Sequence, residues 1–134
     1  KGVVMGRKTY DFIEAYGKWP YGAVPGTIAT NRPLGKLDAP LRAASGTPTE
    51  ILAFARQSGE GPFWIVGGAE LASNFAAAGL LTRLDIFVIP TLIGSGTRAF
   101  SPAASGRLEL IETEHYINGV ARLSYRPDGQ QKTG

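Results

Sequence analysis

Residues Phe63-Trp64-Ile65-Val66 form an unbroken apolar run that ends in Gly67-Gly68 and leads straight into a helical pattern, with Leu71, Phe75 and Ala78 on one stripe. A short run without polar interruption is how a strand covered on both faces reads. A strand that turns into a helix through glycines is one half of a β-α-β unit. A chain built around such a unit is expected to carry a largely parallel sheet with helices on both faces.

The rest of the chain agrees with that frame. Val3 to Met5 reads as the end of a buried strand broken by Gly6, and residues 8–16 read as a short helix stopped by Gly17 in a left-handed cap. The next stretch carries Pro20, Gly22 and Pro25 and is a loop. Thr27 to Thr30 is a short strand, and Leu41 to Ala44 another. Thr47-Pro48-Thr49-Glu50 spells a capping box with proline at the first helical position, so a helix is expected over 48–58. After the Gly67-Gly68 junction a helix over 69–78 is expected, closed by Gly79 with Leu80 as the contact beyond it. Leu84 to Ile89 reads as a second buried strand. Leu108 to His115 and Val120 to Arg126 alternate in polarity and flank Asn118-Gly119, a type I′ hairpin signal. The polar end, residues 127–134, is expected to fray.

Composition narrows the chemistry. The 134 residues hold no Cys, so disulfides and thiolate metal centres are excluded. A single histidine, His115, cannot form a histidine metal cluster, so no metal site is expected. The net charge of +3 comes from 14 scattered Lys and Arg, with no like-charge run of the kind a nucleic-acid face would need. No apolar stretch reaches the roughly 18 residues a membrane span requires. Lys1 runs directly into strand residues with no signal-peptide pattern, and a cytoplasmic protein is expected. The absence of an initiator Met reads as the interior of a longer protein.

Four loops are candidates for ligand chemistry. Gly6-Arg7-Lys8-Thr9 opens a helix with cationic and hydroxyl donors, which suits a phosphate. Gly67-Gly68 lets backbone approach a ligand and also precedes a helix N-terminus, although it lacks the G-x-G-x-x-G spacing. Thr30-Asn31-Arg32 stands at a strand end, where an Arg can meet a ribose 2′-phosphate. Gly94-Ser95-Gly96-Thr97-Arg98 reads as either a phosphate nest or a flexible loop. Each alone is equally an ordinary turn. Three of the four follow strands read as parallel, so they are expected to share one sheet edge and form a nucleotide cleft.

Val4-Met5-Gly6-Arg7-Lys8-Thr9-Tyr10 and Trp64-Ile65-Val66-Gly67-Gly68-Ala69-Glu70-Leu71 resemble two segments of the dihydrofolate-reductase-like family. The run Ala78-Gly79-Leu80-Leu81-Thr82-Arg83-Leu84-Asp85, then Ile89-Pro90 and Leu92-Ile93-Gly94-Ser95-Gly96 to Phe100, is closer to one subgroup. That subgroup is the reductase domain of the bifunctional riboflavin-biosynthesis deaminase/reductase, with its stand-alone relatives. The resemblance covers nearly all of Val3 to Arg126. It implies an α/β, dihydrofolate-reductase-like fold with a mainly parallel central sheet flanked by helices and a C-terminal antiparallel hairpin.

The resemblance also implies an NADPH-dependent reductase of a small heterocyclic or ribityl-type substrate. By position, Gly6, Arg7, Lys8, Thr9, Gly67, Gly68, Ala69 and Glu70 hold cofactor phosphates. Thr30, Asn31 and Arg32 meet the adenosine 2′-phosphate, while Phe12 and Ile13 line the substrate pocket. Relatives of this type imply a homodimer. The family's first strand, the loop after it and the substrate-side helix have no counterpart in residues 1–134. That missing part carries the acid of true dihydrofolate reductases, so the resemblance names no catalytic acid. An additional N-terminal strand is expected beside Val3 to Met5. The loop 94–98 follows the riboflavin type rather than the folate type. The competing class is a nucleotide-binding or structural module of the same fold without catalysis.

Overall fold

The computed structural model of the protein describes residues 1–129. In chain order its elements are β1 (Gly2–Gly6), α1 (Arg7–Tyr16), β2 (Gly26–Ala29), β3 (Leu41–Ala44), α2 (Pro48–Arg56), β4 (Phe63–Ile65), α3 (Ala69–Ala77), β5 (Leu84–Val88), β6 (Leu108–His115) and β7 (Ala121–Pro127). Four strands form a parallel sheet in the order β3-β2-β1-β4, and the remaining three an antiparallel sheet in the order β5-β7-β6.

The alternation of side chains along β1 divides the core. Val3 and Met5 face one way and join Ile28, Tyr10, Ile13 and Trp19 under α1. Val4 faces the other way and joins Ala44, Ile51, Ala55 and Phe75 under α2 and α3. The parallel sheet is therefore covered on both faces, which is why its central strand is apolar throughout. Its four C-terminal ends lie along one edge.

The helices end as their residues dictate. Gly17, with φ 80°, lets its N–H donate to Ile13 O and Glu14 O at the end of α1. Gly79, with φ 70°, turns the chain after α3 so that Leu80 N–H donates to Phe75 O at 3.0 Å. At α2 the capping box forms: Glu50 N–H donates to the Thr47 hydroxyl at 3.3 Å, and Thr47 N–H to the Glu50 carboxylate at 2.7 Å. The Thr47 backbone and hydroxyl donors hold the Glu50 carboxyl below its ordinary range.

Several expectations are corrected. The run Phe63 to Val66 lies on the edge of the parallel sheet and not at its centre. β4 pairs only with β1, and Trp64 is 68% exposed. Leu84 to Ile89 is not a buried strand of that sheet; β5 pairs with β7 in the antiparallel sheet, and its Phe87 and Val88 are exposed. Phe63, Trp64 and Ile65 line a cavity of about 880 Å³ that Leu84, Asp85 and Phe87 of β5 also reach, together with Phe75, Leu80 and Phe100. The additional strand expected beside Val3 to Met5 has no place there, because β1 is paired on both sides by β2 and β4. The hairpin does turn at Asn118-Gly119, but not as type I′. Only Gly119 has positive φ, its N–H donates to Tyr116 O, and the loop takes three residues. Of the polar end expected to fray, Pro127 closes β7 and Asp128 N–H donates to Arg107 O at 2.9 Å. Residues 130–134 of that expectation lie outside the described part.

The antiparallel sheet has two unlike faces. Leu84 and Leu110 oppose Tyr125, and Ile86 and Thr113 oppose Leu123, so one face is largely apolar. On the other, Asp85 and Glu112 oppose Ser124, while Glu114 opposes Arg122. There Arg122 pairs with Glu114 at 2.7 Å, Glu112 at 3.0 Å and Asp85 at 3.5 Å. The Ser124 hydroxyl donates to Asp85 and, with Arg83 and Arg122, keeps that carboxyl below its ordinary range.

Candidate functional site

The C-terminal edge of the parallel sheet gathers three of the four candidate loops. Gly6 closes β1 and Gly67 follows β4; the Gly6 N–H donates to Gly67 O at 3.3 Å, fastening the two turns together. The Gly67-Gly68 peptide is cis, and Gly67 has φ 61°. A side chain at Gly67 would meet the Thr9 hydroxyl at 3.1 Å, so glycine is needed where the two turns touch. At Gly68 a Cβ would meet nothing, which leaves open space above the junction.

Two helices begin at this junction. Gly6 caps α1 and Gly68 caps α3, and neither end receives a side-chain cap. This contrasts with α2, whose first turn is closed by Thr47 and Glu50. The first N–H groups of α1 and α3 thus stand without a side-chain acceptor, each with the partial positive charge of a helix start. Lys8 is exposed beside them, as is Glu70 in the first turn of α3. Ala69 opens that helix and accepts the Ser73 hydroxyl at 2.6 Å; Ser73 in turn accepts Ser101 N–H at 2.9 Å, docking the following loop onto α3.

Thr30, Asn31 and Arg32 extend the same edge beyond β2. Thr30 N–H donates to Ala44 O at 2.8 Å, and Arg32 N–H to the Thr30 hydroxyl at 3.1 Å. Arg7 reaches across from α1. Its Nη1 donates to Pro33 O at 2.9 Å and Arg32 O at 3.4 Å, and its Nε to Asp11 at 2.6 Å. Arg7 is thereby tied into the protein, packed near the Tyr10 ring, and fixes the turn that carries Arg32. The Arg32 guanidinium is 61% exposed, with Asp11 3.7 Å away, and is open to an incoming anion. Asp11 was not singled out from the sequence. Its signal was the i, i+4 spacing from Arg7 on one helix face.

Tyr10 anchors α1 from below. Its hydroxyl accepts Gly35 N–H at 2.8 Å and donates to Glu14 at 3.1 Å, and burial pushes its pKa up. Phe12 and Ile13 lie on the same helix; Ile13 is buried in the core and Phe12 is 75% exposed. The fourth loop, Gly94 to Arg98, is exposed, and among the described residues no hydrogen bond or ion pair joins it to the other three. It stands at the end of the antiparallel sheet, after β5.

Residues 29–122 match the family model described as the RibD C-terminal domain. Over 99 residues the chain is 28% identical to the uncharacterized protein YwjB of Bacillus subtilis (strain 168), covering 73% of this chain and 57% of that protein. The chain thus spans less than two thirds of that relative's length. Among solved structures it superposes on a Shewanella sp. PV-4 protein provisionally named for riboflavin biosynthesis. That match has a TM-score of 0.79 and 24% identity, over 94% of this chain and 73% of that one. A pyrimidine reductase-like protein of Corynebacterium diphtheriae gives a TM-score of 0.65 at 15% identity, over 94% and 75%. RibD of Acinetobacter baumannii gives 0.65 at 17%, over 94% and 46%. These structural likenesses speak for the fold.

Proposed function

The chain belongs to the RibD C-terminal domain family, and from that premise we propose that it is a cytoplasmic NADPH-dependent reductase of a small heterocyclic or ribityl-type substrate. The observation that carries the reading is the pair of helix starts, α1 and α3, joined through Gly6 and Gly67 and lacking side-chain caps. Two such ends side by side suit a diphosphate, whose charge they meet without desolvating a side chain. The open space above Gly68 gives the diphosphate room to approach the backbone. Lys8 and Thr9 add donors on one side, and Arg32 offers an exposed fork for the 2′-phosphate.

The bound dinucleotide supplies the hydride, and the protein supplies orientation and electrostatics. Arg7 and Asp11 hold the Arg32 turn in place. The stripe Thr9, Phe12, Tyr16 runs from the glycine junction along α1 toward a substrate. Calorimetric titration with NADPH is expected to show saturable binding. Loss of NADPH absorbance over a panel of pyrimidines and pteridines is expected to find a turnover partner. Failure to bind NADPH sinks the reading, and binding without turnover on any member favours a non-catalytic module.

The apolar face of the antiparallel sheet supports a homodimer. Leu108, Leu110 and Ile111 are exposed on β6, with Val88, Ile89 and Ile117 around them. A standard interface covers about 800 Å² on each partner. Sedimentation is expected to give a dimer, and Leu110→Glu a monomer; a wild-type monomer at the highest soluble concentration would remove this part.

A further inference from the structure

We infer that Asp11 restrains the site's preference for NADPH over NADH, its carboxylate opposing the 2′-phosphate and favouring a free ribose 2′-hydroxyl. The inference rests on the proposal that Arg32 meets the 2′-phosphate, and it adds a specificity-determining residue to that site. Asp11 stands on α1, four residues after Arg7, where the turn beyond β2 brings Arg32 alongside.

The two oxygens of Asp11 are unlike. Oδ1 accepts Arg7 Nε at 2.6 Å, and Arg7 Nη1 in turn holds Pro33 O and Arg32 O. That oxygen belongs to the framework of the turn. Oδ2 lies 3.7 Å from Arg32 Nη2, too far for a hydrogen bond. Among the described residues Oδ2 accepts no hydrogen bond, and the side chain is 43% exposed. A contact of that length does not aim the Arg32 fork, so Asp11 gives Arg32 charge rather than orientation. An open carboxylate oxygen at a strand end suits a ribose 2′-hydroxyl, as an arginine there suits a 2′-phosphate. Here the two groups stand side by side.

Charge decides which cofactor gains. Arg7, Asp11 and Arg32 bring two guanidiniums and one carboxylate together, a net charge of +1. A phosphate monoester carries nearly two negative charges at neutral pH. The carboxylate offsets part of the field that Arg32 offers such a group, and it repels the group directly. A ribose hydroxyl carries no charge and has a proton to donate to Oδ2. Both effects favour the unphosphorylated cofactor. An asparagine in this place keeps an oxygen for Arg7 Nε, removes the negative charge and replaces Oδ2 with a donor.

The test is calorimetric titration of NADPH and NADH against the wild-type protein and Asp11→Asn, at low and at high salt, with circular dichroism to check the fold of the variant. Asp11→Asn is expected to bind NADPH about three-fold to ten-fold tighter at low salt, and NADH no more tightly than the wild type does. The gain for NADPH should shrink as salt is raised, because charges this exposed are screened. An unchanged or lower ratio of NADPH to NADH affinity, an equal gain for both cofactors, or a gain undiminished at high salt overturns the inference. If the wild type binds NADPH in that same experiment, the reductase reading survives such a failure. If the wild type binds neither cofactor, the reductase reading has failed and the inference with it.

Discussion

Phe75→Ala is expected to lower the unfolding free energy by about 3–5 kcal/mol, the range for emptying a buried aromatic site. Phe75 is 2% exposed and sits between α3 and the sheet with Val4, Ala44, Ile51 and Ala55. Its carbonyl also receives the Leu80 N–H that closes α3. Total stabilities are about 5–15 kcal/mol, so this one change removes a large share. Urea denaturation measures it. A loss below about 1 kcal/mol, the size of a surface effect, would mean that α3 is not docked as described. The variant should also bind NADPH more weakly, because α3 carries one of the two helix starts proposed to meet the diphosphate.

Arg32→Ala should weaken NADPH binding about ten-fold or more while leaving NADH binding almost unchanged. A charge-assisted contact to phosphate contributes about 1.5–3 kcal/mol, and NADH lacks the 2′-phosphate that Arg32 is proposed to hold. The Arg32–Asp11 pair is 3.7 Å long and largely exposed, so its loss has little effect on stability. Titration of both cofactors against both proteins decides the matter. Equal losses for the two would remove Arg32 from the 2′-phosphate site. Arg7→Ala provides a contrast. Arg7 fixes the turn through Pro33 O and Asp11, so its loss should disturb the same discrimination by freeing Arg32.

The range of an interaction along the chain decides whether neighbouring residues encode it. Local signals were legible. The capping box at Thr47, the glycine stops at Gly17 and Gly79, and the strand-glycine-helix turns at Gly6 and Gly67 are written within a few residues. Each depends on one turn of backbone geometry, and each formed where the residues called for it. The grouping of the three loops on one edge was legible too, since parallel strands place their C-terminal ends together.

What the sequence by itself determined is the order of elements, their caps and the parallel half of the fold. Which strands would be neighbours was decided only in three dimensions. An apolar run such as Phe63 to Val66 or Leu84 to Ile89 states that a strand is apolar, not which element faces it. Here Phe63, Trp64 and Ile65 share a cavity with Leu84, Asp85 and Phe87, and Trp64 and Phe87 remain exposed. The role of Arg7 was decided in the same way. Its donors find Asp11 one turn away, which the spacing encodes, and the carbonyl of Pro33, 26 residues on, which no local pattern encodes. Trp19 likewise is buried after the turn that Gly17 makes at the end of α1, and its indole finds Val24 O. Local backbone preference is set by neighbours in sequence, whereas burial and partner choice depend on what folding brings alongside.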